Sequence, residues 1–294
     1  FMKWEGRRSS DNVRKQGSSG RGGGGFRSIG SLGGGGIILL LAVSLLLGQN
    51  PLDLLLGGGF NTAPSTQQST TFEPRNKEEA ETVEFLGVVL ADTEDMWNDI
   101  FSKYGQTYRE PKLVLYQNTV NSGCGFASSR MGPFYCGADE TVYIDATFIE
   151  ELRTTFAAEG DFPFAYVLAH EVGHHIQKLT GDLEKVHALR GRVSEVEYNN
   201  EMVKLELQAD YYAGVLAHYL NNKGYLDSGD VKEGMAAASG VGDDRIQEMQ
   251  GGQANPDTFQ HGRSEQREKW FLRGFEYGDL EHGNTFDTKD AKNL

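Results

Sequence analysis

His170 and His174 stand four residues apart, with Glu171 between them, in the stretch His170-Glu171-Val172-Gly173-His174. Around them Phe164, Val167, Leu168, Ile176 and Leu179 recur at helical spacing. A helix puts residues four apart on one face, one turn from each other, so the two imidazoles could share a zinc ion. Glu171 projects about 100° round the axis from His170. From there it could take a proton from a water and pass it to a leaving amine. The metal would lower the pKa of that water and polarise a scissile carbonyl. The competing reading of these five residues is a buried helix whose histidines make ordinary hydrogen bonds.

A catalytic zinc wants three protein ligands and an open position. Glu206 and Asp210, again four apart, follow on a later apolar stretch beside the small residues Ala209, Ala213 and Ala217, which allow close helix packing. Glu206 is expected to be the third ligand. Asp210, one turn on, would accept the free ring N–H of a ligand histidine, His170, and fix its tautomer. Against this stands a solvated helix face, because Glu195, Glu197, Glu201 and Lys204 are close by, although Leu205, Leu207 and Ala209 crowd the same turns. His261, in His261-Gly262-Arg263-Ser264, is a candidate to polarise the carbonyl or hold the oxyanion. His175 reads as a packing or surface residue, and His187, His218 and His282 have no partner pattern.

These residues need elements to hold them. Apolar positions from Val83 to Tyr104 predict a helix over residues 78–104, broken near Asp92 and stopped at Gly105. Short β-rich runs at Leu113–Tyr116, Phe134–Tyr135 and Thr141–Ile144, punctuated by glycines, predict one small sheet. Cys124 and Cys136 flank its glycine-rich connection. The chain has 2 cysteines, so at most one bridge is available, and it would form in an oxidising compartment; two buried thiols are the other reading. After Phe148 the chain reads as helical, over about 147–158, 163–179, 182–222, 229–249 and 256–277.

The net charge of -14 argues against nucleic acid as a partner, since phosphate binding needs a cationic surface. The N-terminal region departs from that balance. Residues 1–36 carry Lys3, Arg7, Arg8, Arg14, Lys15, Arg21 and Arg27 against Glu5 and Asp11, and read as a flexible glycine-rich tail. The uncharged run Ile37 to Leu47 follows. It is shorter than the about 20 residues that span a bilayer, so a transmembrane anchor over 37–56 must draw on its flanks. A cleaved signal peptide and a buried core helix are the alternatives. The basic region ahead favours an anchor with the N-terminus in the cytoplasm. Residues 57–77 read as a linker and 283–294 as a tail, leaving a domain over 78–282.

Several stretches together resemble the bacterial family of neutral zinc metallopeptidases with one N-terminal membrane segment. They are Lys3 to Arg8, Ser10 to Val13, Ser122 to Gly125, Gly132 to Cys136, Val142 to Asp145, the His170 helix, Leu205 to Asp210, and His261 to Arg267. The pairing with a downstream Glu-x-x-x-Asp is also similar to the gluzincins, which implies Glu206 as ligand. The expectation is an α+β, mainly helical zincin-like domain with a small β-sheet beside the His170 helix, preceded by a transmembrane anchor. Its expected activity is peptide-bond hydrolysis, with one zinc per chain on His170, His174 and Glu206 and Glu171 as general base. Peptides or proteins would be the substrates, in the periplasm or outside the cell. A zinc-binding adaptor without activity, or an envelope scaffold without zinc, are the alternatives, and the intact Glu171 speaks against the adaptor.

Overall fold

The computed structural model describes residues 2–17, 72–128, 131–146, 148, 160–249, 251 and 253–294. It is α+β and mainly helical. A mixed four-stranded sheet has the order β1-β2-β6-β5, with β1 Val13–Gln16, β2 Lys112–Tyr116, β5 Phe134–Cys136 and β6 Thr141–Asp145. β1, β2 and β6 run parallel, and β5 closes one edge antiparallel to β6. A separate hairpin joins β3 Thr119–Ser122 to β4 Gly125–Ser128. The disulfide Cys124–Cys136 ties this hairpin to β5 across a separation of 12 residues.

Helix α1 spans Lys77–Lys103, capped where the Asn76 side chain accepts from the Glu79 amide. The expected break at Asp92 is absent. Asp92 is a buried carboxylate ion-paired to Arg7, so a polar residue that looked like an interruption is an interior contact. Helix α2, Phe162–Thr180, carries the two histidines and starts with Pro163 in its first turn, where a missing N–H costs nothing.

Three longer helices expected downstream are divided. Residues 182–222 form α3 Asp182–His187 and α4 Glu195–Asn222, because Gly191 turns the chain at φ 73 and Ser194 caps α4 by accepting from the Glu197 amide. Residues 229–249 form α5 Asp230–Gly240 and α6 Asp243–Met249. Residues 256–277 form a single 3-10 turn, Pro256–Thr258, and α7 Ser264–Tyr277, with the irregular stretch between them carrying His261. The expected helix over 147–158 lies outside the described residues, apart from Phe148.

The helical layer is held by close crossings. A Cβ on Gly173 of α2 would meet the Ala209 Cα of α4 at 3.1 Å, so glycine at this point sets how near the two helices lie. Ala209, Ala213 and Ala217 are all buried, as their small size suggested. The one large core is filled by Trp97, Leu90, Leu168, Ile176, Leu205 and Phe271.

Both chain ends belong to this body, and here the structure corrects the reading of two tails. Met2 is buried, Trp4 packs edge-on against Phe85, and β1 is hydrogen-bonded to β2. Lys3, Arg7 and Arg8, which looked like free cationic charge, pair with Asp227, Asp92 and Glu94. At the other end the Thr285 hydroxyl donates to the Lys204 carbonyl at 2.6 Å, and Ala291 is buried. The expected anchor at 37–56 lies outside the described residues; among the described ones no helix is long and apolar enough to cross a membrane. The Cys124–Cys136 bridge closes a short loop, so replacing Cys136 by Ser should cost about 3 kcal/mol of unfolding free energy. Denaturant titration with and without reductant checks it, the wild-type protein losing the same amount on reduction.

Candidate metal centre

His170 and His174 point from α2 towards Glu206 on α4, and ligand atoms of the three lie within 4.8 Å of one another. His170 Nε2 is 3.1 Å from Glu206 Oε2, and His174 Nε2 is 3.4 Å from Glu206 Oε1. All three are buried. His174 Nε2 and Glu206 Oε1 have no hydrogen-bond partner in the protein, nor does Glu171 Oε2. Unpartnered polar atoms in an interior are costly unless something binds them, and those of His174 and Glu206 lie together here. Two imidazole nitrogens and a carboxylate are a donor set that suits zinc.

Each ligand is oriented by a second contact. His170 Nδ1 lies 2.9 Å from Asp210 Oδ1, so its N–H donates to the carboxylate and Nε2 is turned to Glu206. His174 Nδ1 donates to Gln177 Oε1 at 2.8 Å, and the Gln177 amide donates to the Leu205 carbonyl at 2.6 Å. Asp210 is itself saturated. Tyr166 donates to it at 2.5 Å, and Arg267 from α7 donates at 2.8 and 2.9 Å in a two-pronged pair. Gln177, Tyr166 and Arg267 carry no role on sequence spacing alone.

The charges are balanced in an unusual way for an interior. Burial would raise Asp210, but Arg267 and then His170 hold it down at about 2. Burial would likewise raise Glu206, and His174 and His170 hold it down at about 2. Burial opposes the charged form of His170, yet its hydrogen bonds to Asp210 and Glu206 raise it to about 9. Burial pushes Glu171 up to about 7, against the pull of His170. Glu171 also accepts from the Tyr135 backbone on the edge strand β5.

His175 faces away from this cluster. Its Nδ1 accepts from the Tyr135 hydroxyl at 2.8 Å, and its Nε2 donates to the Arg109 carbonyl, fixing β5 against α2. His261 is buried, with Nδ1 2.5 Å from Asp243 Oδ1. The Asp243 carboxylate is fixed by the Gln260, His261 and Gly262 amides. His261 Nε2 is left without a partner. His218 and His282 bond to the Phe275 carbonyl and to Asp279, away from the cluster, and His187 is half-buried.

The profile of a family described as "putative neutral zinc metallopeptidase" matches residues 2–286. The chain belongs to that family. It is 47% identical over 290 residues to the uncharacterised protein YpfJ of Escherichia coli, covering 97% of this chain and 99% of that one. An uncharacterised protein of Mycobacterium tuberculosis is 42% identical over 195 residues, 62% of this chain and 64% of its own length. No solved structure matches the chain.

Two outcomes follow from the charge balance. Below about pH 9 zinc must displace the proton that His170 shares with Asp210 and Glu206, so binding releases one proton. Apparent zinc affinity should therefore climb about tenfold per pH unit from neutral pH towards that value, which competition with a chelator at several pH values measures. Arg267→Met removes the anchor of Asp210 and should weaken zinc binding about 10- to 100-fold. Arg267→Lys, keeping the charge without the fork, should fall between.

Proposed function

We propose that this protein is a zinc-dependent peptidase that hydrolyses peptide bonds with one zinc per chain on His170, His174 and Glu206. The observation that carries it is the convergence of buried ligand atoms of those side chains, those of His174 and Glu206 unpartnered, with a buried Glu171 carboxylate that feels the charges of His170 and Glu206. Zinc held there supplies a Lewis acid that activates a water and polarises the scissile carbonyl.

The chain's own residues divide the remaining work. Glu171, with a pKa near the working range, takes a proton from the attacking water and returns it to the leaving nitrogen. Asp210 and Gln177 hold the ring N–H groups of His170 and His174 so that Nε2 of each faces Glu206. His261, steadied by Asp243, offers the only imidazole nitrogen among the described residues that is both buried and unpartnered apart from that of His174. We assign it to the oxyanion that develops on the substrate carbonyl. Peptides or proteins of the cell envelope are the proposed substrates, with association to a membrane through the segment 37–56.

Elemental analysis and a peptide-library digest, read by mass spectrometry, test this reading. Glu171→Gln should keep one zinc per chain and lose at least about 10³-fold in rate, whereas His174→Ala should lose the metal. His261→Ala should keep zinc and lower kcat about 10²- to 10³-fold with little change in KM. Wild-type protein that binds zinc and cleaves nothing in the library would favour the adaptor reading instead. In the active protein the rate should fall with acidity as Glu171 gains its proton. That limb should lie below the value of about 7 set by burial, because a nearby dication favours the carboxylate.

A further inference from the structure

The N-terminal residues are built into the same body as the metal centre, and this constrains how the chain can meet a membrane. β1 is in parallel register with β2, Val13 opposite Leu113 through Gln16 opposite Tyr116. The Lys3 amide donates to the Tyr225 carbonyl at 2.8 Å, and the Ser10 amide to the Gly87 carbonyl at 3.0 Å. A Cβ on Gly87 would collide with the Ser9 side chain, so this helix position is shaped to receive the N-terminal strap.

Charge pairing points the same way. Glu94 is 3% exposed and takes Arg8 at 3.0 Å and the Asn12 amide at 2.8 Å. Asp92 is 5% exposed and takes Arg7, whose guanidinium also lies 3.5 Å from the centroid of the Tyr225 ring. The cations that match these two buried carboxylates come from residues 2–17, as charge in an interior requires. Three of the basic residues that would orient an inserted segment, Lys3, Arg7 and Arg8, are thus engaged by the body itself.

Between Gly17 and Phe72, which both belong to this body, lies the apolar run Ile37 to Leu47. Its 11 residues are about half of what a spanning helix needs. One crossing there would leave β1 and β2 on opposite sides of about 30 Å of hydrocarbon, which neighbouring strands cannot tolerate. We propose that residues 2–17 and the metal-binding body lie on the same side of any membrane the chain meets. This replaces the single crossing, with the N-terminus in the cytoplasm, that the basic head suggested. It does not depend on the peptidase reading.

The test is labelling of the full-length chain, produced in bacterial cells, with a membrane-impermeant maleimide. Lys15→Cys or Glu5→Cys reports on the N-terminal segment and Lys232→Cys on the body; all three positions are exposed. Modification is read at each site by mass spectrometry, in intact spheroplasts and after lysis. The expected result is concordance: both regions labelled in intact spheroplasts, or both only after lysis. Labelling of one region in intact spheroplasts with the other protected until lysis, seen with either N-terminal reporter, overturns the proposal.

Discussion

Glu206 is a carboxylate with no exposed surface, placed between two histidines and one turn from a second buried acid, Asp210. Burying charge is costly unless it is matched, and the neighbourhood of this residue is organised around matching it. Arg267 answers Asp210. A proton on His170 answers Glu206 when nothing else does, which is why burial fails to depress that histidine. A dication in the same place would take over from the proton and would also satisfy the unpartnered atoms of His174 and Glu206. The cluster is therefore a site at which a proton and a metal ion would compete for the same buried atoms.

That balance rests on how near α2 and α4 approach. Gly173 sits over Ala209, and a methyl group there would press on backbone at 3.1 Å, leaving the helices to separate. A shift of even 1 Å would open the spacing between the imidazoles and Glu206, and metal ligation tolerates little such change. Gly274 of α7 likewise lies directly against the Tyr211 backbone of α4, which seats Arg267 under Asp210. Small residues at the crossings and long polar residues around the site are two halves of one arrangement.

Much of the centre was legible from spacing. His170, Glu171 and His174, and then Glu206 and Asp210, are four-residue patterns on helices with apolar neighbours, and helix geometry is regular enough to carry a side chain's direction from its number. Asp243 escaped that reasoning because its partner His261 lies 18 residues away on an irregular stretch, where no period relates the two. Asp92 was misread for a similar reason. A charged residue in an apolar helix looks like a break until the cation that meets it, Arg7, is brought from 85 residues upstream.

The sequence by itself determined the helices' apolar faces, the strand-forming runs and the pairs of ligand-type residues, because local period and side-chain chemistry are written residue by residue. Tertiary structure alone decided that the two pairs face each other, that Gln177 and Arg267 orient them, and that the two ends of the chain are parts of the body. Those facts depend on which distant surfaces meet. That is settled by packing volume and by the matching of buried charge, and neither quantity is defined until the chain has folded.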